Sequence, residues 1–228
     1  MKNALTGKNL YMAVMASAGW FALLLQLYLV IYQPIHKEWS VAGRVIGYFS
    51  YFTITTNILV ALSLSIPLLK PESRAGLFFS SQKVIAGITM FIADVGLIYF
   101  LVLRNVWNPQ GAQLLANVIF HYAIPLAYVG YWLVFVPKGS LAWKDAIAWL
   151  VYPAIYTVLV LLRGAVSGLY PYSFLDAGAL GYPRVLVNMA VLLMVFLVIG
   201  LLVIMIDRVM SPEKKRLMAN FFKAKLLP

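Results

Sequence analysis

Six long apolar stretches follow one another along the chain, separated by short polar or turn-forming segments. An α-helix needs roughly 20 apolar residues to cross the hydrocarbon core of a bilayer. Backbone groups in that core must be hydrogen-bonded internally, and a helix satisfies this within a single segment. The pattern therefore predicts an all-α integral membrane bundle of six transmembrane helices, with spans at about 9–32, 45–69, 84–104, 114–136, 143–163 and 183–206.

Proline and glycine mark most of the connections between these stretches, as expected where a helix ends and the chain reverses. Such residues stand at Gln33-Pro34, Lys70-Pro71, Asn108-Pro109-Gln110-Gly111 and Pro137-Lys138-Gly139. The fifth connection, 164–182, is the longest and the least regular. Because six spans use nearly all of the 228 residues, we expect 1–228 to form a single transmembrane domain with its function inside the bundle.

The composition supports a lipid environment, since 63% of the residues are hydrophobic and only 11% are charged. The formal charge of +11 does not indicate nucleic acid binding, because the basic residues form no soluble face. The absence of cysteine excludes thiolate nucleophiles, iron–sulfur clusters and cysteine-ligated zinc. One buried histidine and one buried aspartate fall short of a usual metal site, so we expect no metal and no cofactor.

The distribution of Lys and Arg predicts the orientation, because cytoplasmic flanks carry the excess of positive charge. If the N-terminus is inside, 13 of the 18 basic residues lie on that side: Lys2, Lys8, Lys70, Arg74, Lys83, Lys138, Lys144, Arg208, Lys214, Lys215, Arg216, Lys223 and Lys225. The other side keeps Lys37, Arg44, Arg104, Arg163 and Arg184. We therefore expect both termini in the cytoplasm, in the cell (inner) membrane. The tail 208–225 interleaves basic and apolar residues, which suits binding to an anionic leaflet.

Polar side chains within the predicted spans are few, and in a membrane such residues are candidates for function. Of seven acidic residues only Asp94 lies well inside a span, and of two histidines only His121 does. With a helical rise of about 1.5 Å per residue, Thr53, Asp94 and His121 come out roughly 10–15 Å below the outer face. This common level predicts one shared site.

Local spacing adds to this prediction. Thr53 and Asn57 are four residues apart, as are Asn117 and His121, so each pair shares one helix face. Pro125 stands four residues after His121, and its missing N–H predicts a kink beside the histidine.

Three motifs stand in order along the chain: Tyr51-Phe52-Thr53-Ile54-Thr55-Thr56-Asn57, then Phe120-His121-Tyr122 with Pro125, then Gly168-Leu169-Tyr170-Pro171-Tyr172 with Asp176. Together they resemble the bacterial six-span relatives of the androgen-induced / FAR-type family, which includes the androgen-dependent TFPI-regulating protein. The resemblance covers roughly the second to the sixth span. It implies a threonine hydrolase of fatty acid esters of hydroxy fatty acids, whose catalytic threonine and histidine match Thr53 and His121.

On that resemblance, His121 would accept the proton of Thr53 as the hydroxyl attacks the ester of a lipid substrate. From depth alone, and not from the resemblance, we expect Asp94 to orient the imidazole or stabilise its charge. Supporting donors to the oxyanion would come from Asn57, Asn117, Asn188 or Tyr172. The connection 164–182 would form a lid, with Tyr170, Tyr172 and Asp176 close to the mouth of the site.

Two other classes of function are open at this level. A proton-coupled transporter or channel would use Asp94 and His121 as a relay, although no inverted repeat with paired broken helices is visible. A structural or partner-binding membrane protein would show a polar layer that is fully self-paired. The oligomeric state, the physiological substrate and its chain length are not determined by the sequence.

Overall fold

The computed structural model describes residues 7–33, 39–106 and 108–213. Within them, six helices are long and apolar enough to cross a membrane: span 1, Gly7–Tyr32; span 2, Phe52–Leu69; span 3, Gln82–Leu103; span 4, Gly111–Phe135; span 5, Trp143–Ser167; and span 6, Tyr182–Val209. The described part contains no strand. The predicted all-α membrane bundle is confirmed, and the protein is a multi-pass membrane protein. Most of the tail 208–225, with its predicted contact to an anionic leaflet, lies outside the described residues.

Span 2 differs from the sequence prediction, which had it begin at about residue 45. The chain forms a short helix, Val41–Phe49, and then a second helix that begins at Phe52. At the break, the hydroxyl of Tyr156 on span 5 donates to the carbonyl of Ser50 at 2.7 Å and accepts the N–H of Phe52 at 3.1 Å. Since one side chain satisfies both backbone groups, the interruption is tolerated inside the bundle.

The short helix Val41–Phe49 packs beside span 1. The Tyr48 hydroxyl donates to the carbonyl of Leu23 at 2.9 Å, and the Arg44 guanidinium donates to the carbonyl of Ile31 at 3.0 Å. Because Leu23 and Ile31 lie more than two turns apart on span 1, the short helix runs along that span. Residues 41–69 therefore form one interrupted segment, with the break beside Thr53.

Spans 3 and 4 each contain a π-helical turn, at Tyr99–Leu103 and Ile119–Ala123. The second turn surrounds His121 and ends two residues before Pro125, so the helix is widened where the proline predicts a kink. The two spans approach closely at Gly96, where a Cβ atom would lie 3.1 Å from Pro125 Cβ. Glycine is therefore the residue that lets span 3 pack directly against the histidine segment.

The core is built around span 3, the most buried of the six spans. Its side chains pack with large buried residues of spans 2 and 4, such as Leu64, Tyr128 and Trp132. Span 5 continues to Ser167, four residues beyond its predicted end. The helix ends there because Gly168 adopts a left-handed conformation, with φ of +70°. The connection that follows contains a 3₁₀ turn, Ser173–Leu175, and a short helix, Ala177–Leu180.

A further short helix was not predicted. Residues Arg74–Ser80 form a helix in the second connection, and its N-cap is Ser73, whose hydroxyl accepts the N–H of Gly76 at 3.0 Å. This helix lies between spans 2 and 3, on the side opposite to Thr53.

Candidate active site

Thr53 and His121 are in direct contact. The Thr53 hydroxyl oxygen lies 3.3 Å from Nε2 of His121, although 68 residues separate the two in sequence. Thr53 is the second residue of the helix that follows the break in span 2, and His121 lies in the middle of the π-helical turn of span 4. The expectation that these two side chains meet is confirmed, and both are half-buried.

The contacts of His121 define which of its nitrogens is free to accept a proton. Nδ1 lies 3.0 Å from the backbone carbonyl of Asn117. A carbonyl only accepts, so Nδ1 carries the hydrogen and Nε2 presents its lone pair to Thr53. The imidazole is thereby held in the tautomer that a general base requires.

The ring of Tyr99 fixes the other face of the imidazole. The two rings are stacked, with centroids 3.9 Å apart and planes 19° from parallel. The Tyr99 hydroxyl accepts a hydrogen bond of 2.6 Å from the side-chain amide of Asn117. Asn117 thus holds His121 in two ways: its carbonyl binds Nδ1, and its amide fixes the Tyr99 ring that stacks on the imidazole. The sequence analysis did not identify Tyr99 as a residue of the site.

The neighbouring threonines of span 2 have different partners. Tyr152 on span 5 donates to the Thr55 hydroxyl at 2.8 Å, and its oxygen lies 3.3 Å from the Thr56 hydroxyl. Thr55 also donates to the carbonyl of Phe52. Among these three threonines, Thr53 is the one whose hydroxyl faces a base.

The asparagines predicted as oxyanion donors each make one hydrogen bond within the protein. Asn57 donates to the carbonyl of Thr53 at 2.8 Å, one helical turn back on the same span. Asn188 donates to the carbonyl of Phe174 at 2.8 Å and so ties span 6 to the connection 168–181. With the Asn117 amide bound to Tyr99, all three amide nitrogens already donate within the protein.

The predicted role of Asp94 in orienting the imidazole is wrong. Its side chain is fully buried, but neither carboxyl oxygen has a hydrogen-bond partner among the described residues. The nitrogen of His121 that an orienting carboxylate would hold is bound to the Asn117 carbonyl. A backbone carbonyl, fixed by the helix itself, therefore takes the place that we had assigned to Asp94.

Tyr172 lies at the site, as expected. Its hydroxyl is beside the hydroxyl and the backbone N–H of Thr53. Its ring stacks on Phe174 at 5.1 Å and meets the edge of Tyr51 at 5.6 Å. Burial raises the pKa of the Tyr172 hydroxyl to about 12, so the phenol keeps its proton at any physiological pH.

The other two residues of the predicted lid act locally. Asp176 accepts the N–H of Ala179 at 3.0 Å and caps the short helix Ala177–Leu180. The ring of Tyr170 packs against Gly164 of span 5, where any larger residue would displace it. Neither contact reaches Thr53.

Two cavities flank the Thr53–His121 pair. On the Thr53 side, an apolar cavity of about 60 Å³ lies between spans 2, 3, 5 and 6 under the connection 168–181. Besides Thr53 and Tyr172, its walls include Val95, Ile98, Leu192 and Phe196. On the other side, an open depression of about 310 Å³ is lined by Tyr99, Arg104, Asn105, Asn108, Asn117 and Tyr122. An apolar space thus borders Thr53, and a polar space borders Tyr99 and Asn117, the residues that hold His121.

No protein-family model, curated protein or solved structure matches this chain. The assignment of a function therefore depends on the geometry of the site and on the chemistry of its residues.

Proposed function

We propose that the protein is an intramembrane hydrolase of lipid esters, with Thr53 as nucleophile and His121 as general base. The observation that carries this proposal is the 3.3 Å contact between the Thr53 hydroxyl and Nε2 of His121, together with the Asn117 carbonyl on Nδ1. A hydroxyl is a weak nucleophile until a neighbouring base accepts its proton. Here the acceptor, its tautomer and its orientation are all set by the fold.

The reaction has two stages. The Thr53 oxygen attacks the ester carbonyl while Nε2 of His121 takes its proton, and the resulting imidazolium then protonates the departing alcohol. This leaves an acyl ester on Thr53 and neutral His121. A water molecule then gives a proton to Nε2 and attacks the acyl carbon, and the fatty acid leaves as the Thr53 hydroxyl regains its proton.

The surroundings of the pair support a lipid substrate. Thr53 lines an apolar cavity between spans, which suits the part of an acyl chain next to the ester. At about 60 Å³ the cavity takes a longer chain only when the spans separate further. The polar depression beside Asn117 offers room for the polar part of the substrate. Esters of the fatty acid–hydroxy fatty acid type combine these two features, in agreement with the sequence resemblance.

The site belongs to the outer half of the cell (inner) membrane in this proposal. The excess of Lys and Arg on one side of the bundle supports a cytoplasmic location for both termini. Thr53 and His121 then lie in the half of the bilayer next to the opposite face.

A proton relay through Asp94 and His121, the alternative function, gains no support. The Asp94 carboxyl has no hydrogen-bond partner within the described residues, and Nδ1 of His121 is bound to a carbonyl. A relay needs a continuous series of donors and acceptors between its members.

The proposal is tested by turnover of a long-chain p-nitrophenyl ester by purified protein in detergent or nanodiscs. We expect Thr53→Ala and His121→Ala each to abolish hydrolysis while the protein remains folded, and Thr53→Ser to retain part of it. Thr55→Ala is the matched control, because it removes a hydroxyl two residues away that binds Tyr152. Full activity of Thr53→Ala, or an equal loss in Thr55→Ala, would rule out the assigned pair.

A further inference from the structure

Attack on an ester carbonyl places negative charge on the carbonyl oxygen, and a hydrolase needs donors fixed at that position. The following inference rests on the proposed Thr53–His121 chemistry and concerns the groups that supply those donors. The three asparagines predicted from the sequence as donors, Asn57, Asn117 and Asn188, each donate to another group of the protein. None of the three lines the cavity that Thr53 borders, so the donors at an attacked carbonyl come from other groups.

The break in span 2 leaves one backbone N–H available there. The first N–H groups of a helix have no carbonyl partner inside it. In the helix that begins at Phe52, the Phe52 N–H donates to Tyr156, and the N–H groups of Ile54 and Thr55 both donate to the carbonyl of Tyr51. The N–H of Thr53 makes no hydrogen bond within the described residues, and Thr53 lines the same cavity as Tyr172.

Tyr172 supplies the second donor. Tyr172 and Thr53 line the same cavity, with the phenol near the Thr53 hydroxyl and N–H, so a carbonyl attacked by Thr53 brings its oxygen next to the phenol. The ring is held between Phe174 and Tyr51, and Asn188 fixes the backbone of Phe174. The phenol is therefore positioned before the substrate arrives, which is the condition for effective stabilisation of a transition state.

We propose that the oxyanion hole consists of the Tyr172 hydroxyl and the backbone N–H of Thr53, which makes Tyr172 a third catalytic residue. When the ester carbonyl enters, its oxygen accepts the N–H of Thr53. The phenol then donates to the same carbonyl oxygen. Because the phenol stays protonated well above neutral pH, it acts as a donor throughout the working range of the enzyme.

The test is the Tyr172→Phe variant, which keeps the ring and removes only the hydroxyl. We expect kcat to fall by about 10²-fold, the usual effect of losing one oxyanion donor, with KM changed by less than about 3-fold. Tyr32→Phe is the control, because it removes the same hydroxyl from an exposed tyrosine at the end of span 1, away from the site. It should keep the wild-type kcat.

A second measurement separates catalysis from folding. A long-chain trifluoromethyl ketone forms a tetrahedral adduct with Thr53 and places an oxyanion in the proposed hole, so its affinity should fall in Tyr172→Phe by the same factor as kcat/KM. The parent methyl ketone, which binds without that charge, should bind as to the wild type. A Tyr172→Phe protein with unchanged kcat, or one that loses affinity for both ketones equally, would overturn the assignment of Tyr172. Loss of the Thr53–His121 proposal would be recognised separately, by activity in Thr53→Ala.

Discussion

The close approach of spans 3 and 4 at Gly96 leads to a prediction whose size can be worked from the structure. A Cβ atom at Gly96 would lie 3.1 Å from Pro125 Cβ and 3.3 Å from the carbonyl oxygen of His121, and ordinary contact begins near 3.4 Å. In Gly96→Ala, the histidine segment must therefore shift by about 0.3 Å. The Thr53–His121 distance of 3.3 Å is already long for a hydrogen bond, so the shift acts on a sensitive contact.

A misplacement of 1 Å costs about 10²-fold in rate, which scales to about four-fold, or about 0.8 kcal/mol, for a shift of this size. We therefore expect kcat of Gly96→Ala on a long-chain p-nitrophenyl ester to fall about four-fold, and that of Gly96→Val to fall further. Stability should change little, because the gain of about 1 kcal/mol in helix propensity offsets the mild overpacking.

The matched control is Gly130→Ala, on the same span as His121. A Cβ atom there would lie 3.6 Å from the Tyr11 hydroxyl, which is ordinary contact, so kcat should stay at the wild-type value. If Gly96→Ala and Gly130→Ala had the same kcat, packing between spans 3 and 4 would not position His121, and the reasoning would be refuted.

Other contacts give further predictions. Asp94→Asn should retain full hydrolysis, and loss of turnover in this variant would contradict the assignment of the site. Asp94→Leu should raise the melting temperature, because it removes a buried carboxyl without hydrogen-bond partners and stabilises the protein by about 1–3 kcal/mol. Asn188→Ala should lower kcat/KM by roughly 5-fold and increase proteolysis between residues 168 and 181, because the bond to the Phe174 carbonyl is lost; unchanged proteolysis would argue against that tie. Tyr99→Phe should mainly lower the melting temperature, because the Asn117 amide loses its acceptor. Tyr99→Leu should also lower kcat about ten-fold, because it removes the ring stacked on His121. Equal kcat in the two variants would exclude a role for the stacking.

The architecture could be predicted because apolar length and turn residues report directly on spanning helices. The contact between Thr53 and His121 could also be expected. The helical rise fixes the depth of each residue below the outer end of its span, and the two depths are similar. The break between Phe49 and Phe52 could not be predicted. It depends on the hydroxyl of Tyr156, more than 100 residues away in sequence, which satisfies the exposed backbone groups.

The group that orients His121 also could not be predicted from the sequence. Aspartate is a frequent partner of a catalytic histidine, and Asp94 was the acidic residue at a suitable depth. The structure uses the carbonyl of Asn117 instead, one turn back in the same helix. Depth along a helix can be read from sequence, but the direction in which Asp94 points depends on how the helices are rotated against one another. The amphipathic signal that would define that rotation is weak in helices that are apolar on every face.

The central claim is that the Thr53 hydroxyl is an activated nucleophile, and labelling with a long-chain fluorophosphonate followed by mass spectrometry tests it most directly. We predict a single adduct on Thr53 in the folded protein, at a rate that falls strongly in His121→Ala and stays unchanged in Thr55→Ala. An adduct on another residue, or labelling of Thr53 that does not depend on His121, would contradict the account.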